Sequence, residues 1–141
     1  MASNEQPAVY LRFVRLKTVK GTRSRAGFFT AAYELQRAVE IDANSSARLN
    51  NILVWFQKNL AIPTDFNKSK SKGASRRTDT KGLSWFKPTA EMHLAKAFEL
   101  TDLLSQHGFH IEVLKSARPG HVIYEDDIQI VAEPFADTPG G

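Results

Sequence analysis

The sequence predicts an α+β domain: an antiparallel or mixed sheet of about five short strands, with three helices packed mainly on one face, in the order β-α-α-β-α-β-β-β. Three observations predict it. Three stretches carry apolar residues at helical spacing. Several shorter ones alternate apolar and polar residues and are rich in β-branched and aromatic side chains. The last three strands follow one another through Pro-Gly and Asp-Asp turns, which implies hairpins rather than helical crossovers.

The first strand is Ala8–Lys17, with Val9, Leu11 and Phe13 on one face and Tyr10, Arg12 and Val14 on the other. After Phe13 the alternation blurs, because Val14 and Leu16 are apolar on the face that carries Arg12; a bulge or a second buried face would explain it. Residues 18–27 read as a loop in which Gly21 and Gly27 bracket Thr22, Arg23, Ser24 and Arg25. A helix follows, with Phe28, Ala31, Ala32, Leu35 and Val39 on one face. Strand, basic glycine-bracketed loop and helix start can converge backbone N–H groups and the helix dipole on an anion. The loop lacks the Gly-Lys-Ser/Thr of a P-loop and the dinucleotide fingerprint. An ordinary solvated loop, with Ser24 capping the helix, is the plainer reading.

Asp42, Asn44 and Ser45 offer caps for a second helix, whose stripe is Leu49, Ile52, Leu53, Phe56 and Leu60. Trp55 lies off that stripe, where it packs against the first helix or marks a partner surface. Pro63 ends the helix. Residues 67–82 carry six basic side chains, one acid and no apolar residue larger than alanine, which reads as a mobile basic loop. Leu83 and Trp85 alternate with Ser84 in a short strand. Pro88 suits a helix start and Gly108 its terminator. Between them Ala90, Leu94, Ala97, Thr101 and Leu104, flanked by Phe98 and Leu100, form the expected core face; Met92 and Leu103 interrupt the polar one. Strands at 109–115, 122–125 and 128–133 close the chain, and 136–141 reads as a frayed tail.

The totals bound function. The 141 residues suit a single domain, 1–141, and apolar residues at 42% against 24% charged suit a folded chain. The absence of cysteine excludes disulfide scaffolds, thiol nucleophiles and thiolate metal sites. No apolar run approaches the roughly 20 residues of a membrane span, and no signal peptide is evident, so a cytoplasmic protein without membrane contact is expected. Residues 1–87 carry 16 Lys/Arg and 6 Asp/Glu, whereas residues 88–141 carry 3 and 9. The two halves either neutralise each other across the fold or give a basic face for a polyanion.

These observations lead to the expectation of a small, non-enzymatic, cofactor-free binding protein for a phosphate-bearing ligand, nucleic acid or nucleotide. Lys20, Arg23, Ser24 and Arg25 would hold a phosphate, Arg76, Arg77 and Lys81 would cover it, and Trp85 beside Lys87 would stack a base. An alternative is a protein-interaction or inhibitor module, including a homodimer, built on the acidic hairpin and the Met92/Leu103 patch. A third is a metal-dependent hydrolase or nuclease using Glu112, Glu125, Asp126 and Asp127 with His110 and His121, although their spacing matches no ligand signature. His93 and His107 form no HExxH pair, and Ser24, Ser84 and Ser116 lack a nucleophile-elbow context.

Overall fold

A computed structural model describes residues 8–18, 25–61, 82–135 and 138. Its elements are β1 (Tyr10–Thr18), β2 (Arg25–Gly27), α1 (Phe28–Gln36), α2 (Ala43–Asn59), β3 (Leu83–Phe86), α3 (Glu91–Gln106), β4 (Ile111–Ser116), β5 (His121–Glu125) and β6 (Gln129–Glu133). The α+β class and the element order agree with the sequence, with one addition: the end of the glycine-bracketed loop forms β2.

All strand pairs are antiparallel, in the order β2-β1-β3-β6-β5, and β4 also pairs with β1. β1 lies against β4 along its whole first part, from Tyr10↔Ser116 to Arg15↔Ile111. Between β1 and β3 the register reduces, among the described residues, to Leu11↔Phe86. One ribbon, β2-β1-β4, thus meets a second, β3-β6-β5, along a short seam.

The turn at 117–120 is not a hairpin. β4 and β5 belong to different ribbons, and residues 117–120 cross between them. The Pro-Gly signal marks the change of direction but carries no information on which strand comes alongside. In a flat sheet four strand spacings would separate β4 from β5 by about 19 Å. Five Cα steps from Ser116 to His121 span at most about 18 Å, so the sheet must curl. The hairpin between β5 and β6 is real. It carries an irregularity between Val122 and Tyr124 that leaves Ile123 as the extra residue on a strand at the end of the sheet order, an arrangement that discourages edge-to-edge pairing.

The helices cover one sheet face. Phe13 stacks on Phe28 of α1 at 5.0 Å and meets Phe98 of α3 and Phe86 of β3 edge-on at 5.0 and 5.9 Å. Phe56 of α2 joins Phe28, Phe29 and Phe86. Leu11, Ile111 and Val113 pack against the same cluster. α2 buries Leu49, Ile52, Leu53 and Phe56, as its stripe predicts, and Asp42 caps it by accepting from the Ser45 N–H at 3.0 Å. α1 ends at Gln36, which leaves the expected core residue Val39 almost fully exposed. α3 is rotated from its predicted orientation: His93 and Leu103 are buried, while Phe98 is half-exposed. Trp55 packs edge-on against His93 of α3 at 4.7 Å. The His93 ring lies 2.8 Å from the Asn59 carbonyl at the end of α2.

The other sheet face is also buried. Arg12, Val14, Trp85, Ile130 and Ala132 occupy it, at 0–6% exposure. Val14 therefore meets a second buried face, and a register shift does follow it, between Val14 and Thr18. β6 is buried on both sides, and its Gln129 bridges elements: Gln129 Nε2 donates to the Ala61 carbonyl after α2, and Ser84 Oγ donates to Gln129 Oε1. Thr138 is buried, and its hydroxyl accepts from the Phe135 N–H at 2.8 Å. The rest of 136–141, and 67–81, lie outside the described residues. Among the described residues no helix is long and apolar enough to cross a membrane.

Gly120 has φ +153°, and a Cβ there would collide with the backbone carbonyl of Glu133. Gly108, after α3, has φ +89° with open space around it. Gly120→Ala should cost at least about 2 kcal/mol in urea denaturation, whereas Gly108→Ala should cost about 1 kcal/mol. Equal costs would show that the Gly120–Glu133 approach does not constrain the fold.

Candidate basic site on the second sheet face

β2 intervenes between the basic loop and α1, whose N-cap is Gly27 without a side-chain cap bond. Lys20, Arg23, Ser24, Arg76, Arg77 and Lys81 lie outside the described residues. Arg25 lies in β2, and its guanidinium turns back over the sheet. Its Nε donates to the Arg15 carbonyl at 2.8 Å, and Nη1 lies 2.5 Å from a Glu112 carboxylate oxygen on β4. Trp85 is fully buried. It cannot present its ring to a base in this structure, because sheet packing on the second face has taken the surface that stacking needs.

Arg12 is the residue that sequence reasoning passed over. It lies on the second face beside Val14, and its Nη2 donates to the Arg25 carbonyl. Burial, with a smaller contribution from the neighbouring Arg25 charge, brings the Arg12 pKa down to about 10, so it remains charged at neutral pH. A signal did exist: an arginine between Leu11 and Phe13, on the face that carries the apolar Val14, although Leu16 on that face proves exposed.

Register places these groups together. Val14 pairs with Glu112 on one side and Gly27 on the other, and Arg25 shares its β2 face with Gly27. Leu11 pairs with Phe86, so Arg12 and Trp85 are the next residues out along the seam, both on the second face. Two buried donors there have no hydrogen-bond partner among the described residues, Arg25 Nη2 and Trp85 Nε1. Lys87 follows on the same face, where its Nζ meets Glu125 at 2.6 Å and Glu125 raises its pKa.

The acidic hairpin is built for turn geometry. The Asp126 carboxylate accepts from the N–H groups of Ile128 and Gln129 at 2.8 and 2.9 Å and from the Tyr124 hydroxyl at 2.9 Å. Glu125 is occupied by Lys87, and Glu112 by Arg25. Among the described residues no three His, Asp or Glu side chains converge as a metal site. The Met92/Leu103 patch does not exist either: Met92 is exposed and Leu103 is fully buried.

Charge pairing links the two halves of the chain. Arg25–Glu112, Lys87–Glu125 and the longer Arg48–Glu99 contact each join a cation before residue 88 to a carboxylate after it. The described residues hold 11 Lys/Arg and 11 Asp/Glu and sum to zero. The remaining residues hold eight Lys/Arg and four Asp/Glu, which is the whole of the +4. No protein-family model matches the chain, and no curated protein or solved structure matches it.

Partial burial would raise the Asp126 pKa, but the Gln129 and Ile128 N–H groups and the Tyr124 hydroxyl outweigh it, so the net shift is downward. A depressed carboxylate stabilises the fold above its unfolded pKa, about 4, and loses that contribution as pH falls through the folded value. Asp126→Ala should cost about 1 kcal/mol at pH 7, after allowance for solvent exposure. The gap from the unsubstituted protein should close as pH falls below about 4. A gap in chemical denaturation that stays constant down to that range would refute this.

Proposed function

We propose that the chain is a small binding protein for a phosphate-bearing polyanion, single-stranded nucleic acid in the first place, contacted through its excess basic residues. The observation that carries this reading is where the uncompensated charge lies. The described sheet and helices sum to zero charge, and five of their 11 Lys/Arg lie within 4.0 Å of a carboxylate. Residues 19–24 and 62–81 together hold eight Lys/Arg and two Asp/Glu. Clustered, uncompensated Lys and Arg attract phosphate backbones by releasing condensed counterions, with little dependence on sequence.

Topology supports the two segments acting together. From the Leu11↔Phe86 pair, β1 runs on towards residues 19–24. β3 is antiparallel to it, so the chain from 62–81 enters β3 on that same side of the pair. The reading does not require Trp85 to stack.

A fluorescent single-stranded oligonucleotide should bind at low salt, with log affinity falling linearly against log salt concentration. Replacing Lys68, Lys70 and Lys72 together by Gln should reduce that slope by about 2, at roughly 0.7 for each phosphate no longer neutralised. Absence of binding even at low salt would remove this reading.

A further inference from the structure

Trp85 is sealed within the sheet, but the chain's other tryptophan reaches solvent. Trp55 lies on the side of α2 that faces α3, and it is half-buried. Phe56 and His93 meet its ring at steep angles, 86° and 61°, with centroids 5.2 and 4.7 Å away. Among the described residues no aromatic ring stacks flat on it. The Lys96 ammonium lies over the ring at 5.9 Å, the outer limit of a cation–π contact, and is 3.5 Å from Glu99. Lys58, three residues on, is exposed on the same side of α2. Arg48, two turns before Trp55, lies 4.0 Å from Glu99. Met92, one turn before Lys96 on α3, is 69% exposed. Three cations and one carboxylate thus surround an indole and a thioether that both reach solvent.

Chain order sets this patch beside the basic segment. Four helical residues from Trp55 to Asn59 rise about 6 Å, and two extended steps to Ala61 add at most about 7 Å. Within about 13 Å of Trp55, α2 therefore hands the chain to residues 62–81, which hold six Lys/Arg and two Asp/Glu. We propose that Trp55 is a stacking platform for a base of a single-stranded nucleic acid. The base lies on the solvent side of the indole, against Met92, and the Lys58 and Lys96 ammonium groups meet the adjoining phosphates. Every base has a π-face, so this contact adds affinity without reading sequence. The inference rests on the polyanion reading and deepens it: the ligand is held by its bases as well as by its phosphates.

Labelled oligothymidylate and inorganic polyphosphate, each titrated into the intact chain, separate base contacts from phosphate contacts. Trp55→Leu should weaken oligothymidylate binding at least about fivefold, the lower end of the worth of one stacked base. It should leave polyphosphate binding unchanged. The slope of log affinity against log salt should stay as it is, because an indole releases no counterions. Trp55→Phe keeps an aromatic face and should recover most of the lost affinity. The chain has two tryptophans, Trp55 and Trp85, so the indole N–H region of a ¹⁵N–¹H correlation spectrum of the unsubstituted chain holds two side-chain signals. Oligothymidylate should move the Trp55 signal, identified by its loss in Trp55→Phe, upfield and saturably. The Trp85 signal should stay in place.

A Trp55 signal unmoved at saturating oligothymidylate overturns the proposal without any variant having to fold. An oligothymidylate affinity unchanged in Trp55→Leu overturns it as well. Either result, with oligothymidylate still bound by the unsubstituted chain, removes the stacking platform and leaves the polyanion reading in place. Absence of binding by the unsubstituted chain at low salt removes both.

Discussion

The fold depends on the seam where Leu11 meets Phe86. On one side is a ribbon built on the long first strand, on the other a ribbon built on β6. Neither ribbon buries a full core by itself. Joined at the seam, they bring Phe13 and Phe86 together on one face, where Phe28 of α1, Phe56 of α2 and Phe98 of α3 complete a continuous aromatic cluster. Aromatic pairs of this kind stabilise through area and through edge-to-face geometry, so the three helices are oriented as well as held. The crossing at residues 117–120 follows from the same constraint, since it links strands that only a curled sheet brings within reach.

The seam also creates the second face. A sheet covered by helices on one side commonly leaves the other to solvent. Here Val14, Trp85, Ile130 and Ala132 are buried there, and Arg12 is buried among them. Burying an arginine is costly unless it is hydrogen-bonded and its charge is answered. The backbone carbonyl of Arg25 accepts from Arg12, and Glu112 pairs with the neighbouring Arg25. Other polar groups have partners: Asp126 in its own turn, and, across the fold, His93 at the end of α2 and Gln129 at Ser84 and Ala61.

Charge shows how fold and function divide the chain. Three ion pairs cross from the basic half to the acidic half, so much of the asymmetry visible in the sequence is consumed by folding. Exposed pairs such as these contribute little stability each. Their main effect is to leave the described framework neutral, so that the excess falls in two segments attached around β1 and β3. A phosphate-bearing partner is the reading we propose from this distribution.

The sequence by itself determined the α+β class, the three helices, a capped start of α2 at one of Asp42, Asn44 and Ser45, the end of α3 at Gly108 and the hairpin between β5 and β6. Each is a local matter of periodicity, capping or turn chemistry. It also exposed the irregular strand after Phe13, although not its cause. Only the tertiary structure decided that residues 117–120 cross between ribbons, that Val39 lies outside the core and Leu103 within it, that Arg25 turns towards Glu112, and that Trp85 is sealed inside rather than offered to a ligand. Strand pairing and helix rotation are set by contacts between residues far apart in the chain. An alternating or helical pattern says which face is apolar, but not which neighbour covers it. Arg12 shows the limit most plainly: the sequence left open whether its face is buried, and only the closing of the second face placed it inside.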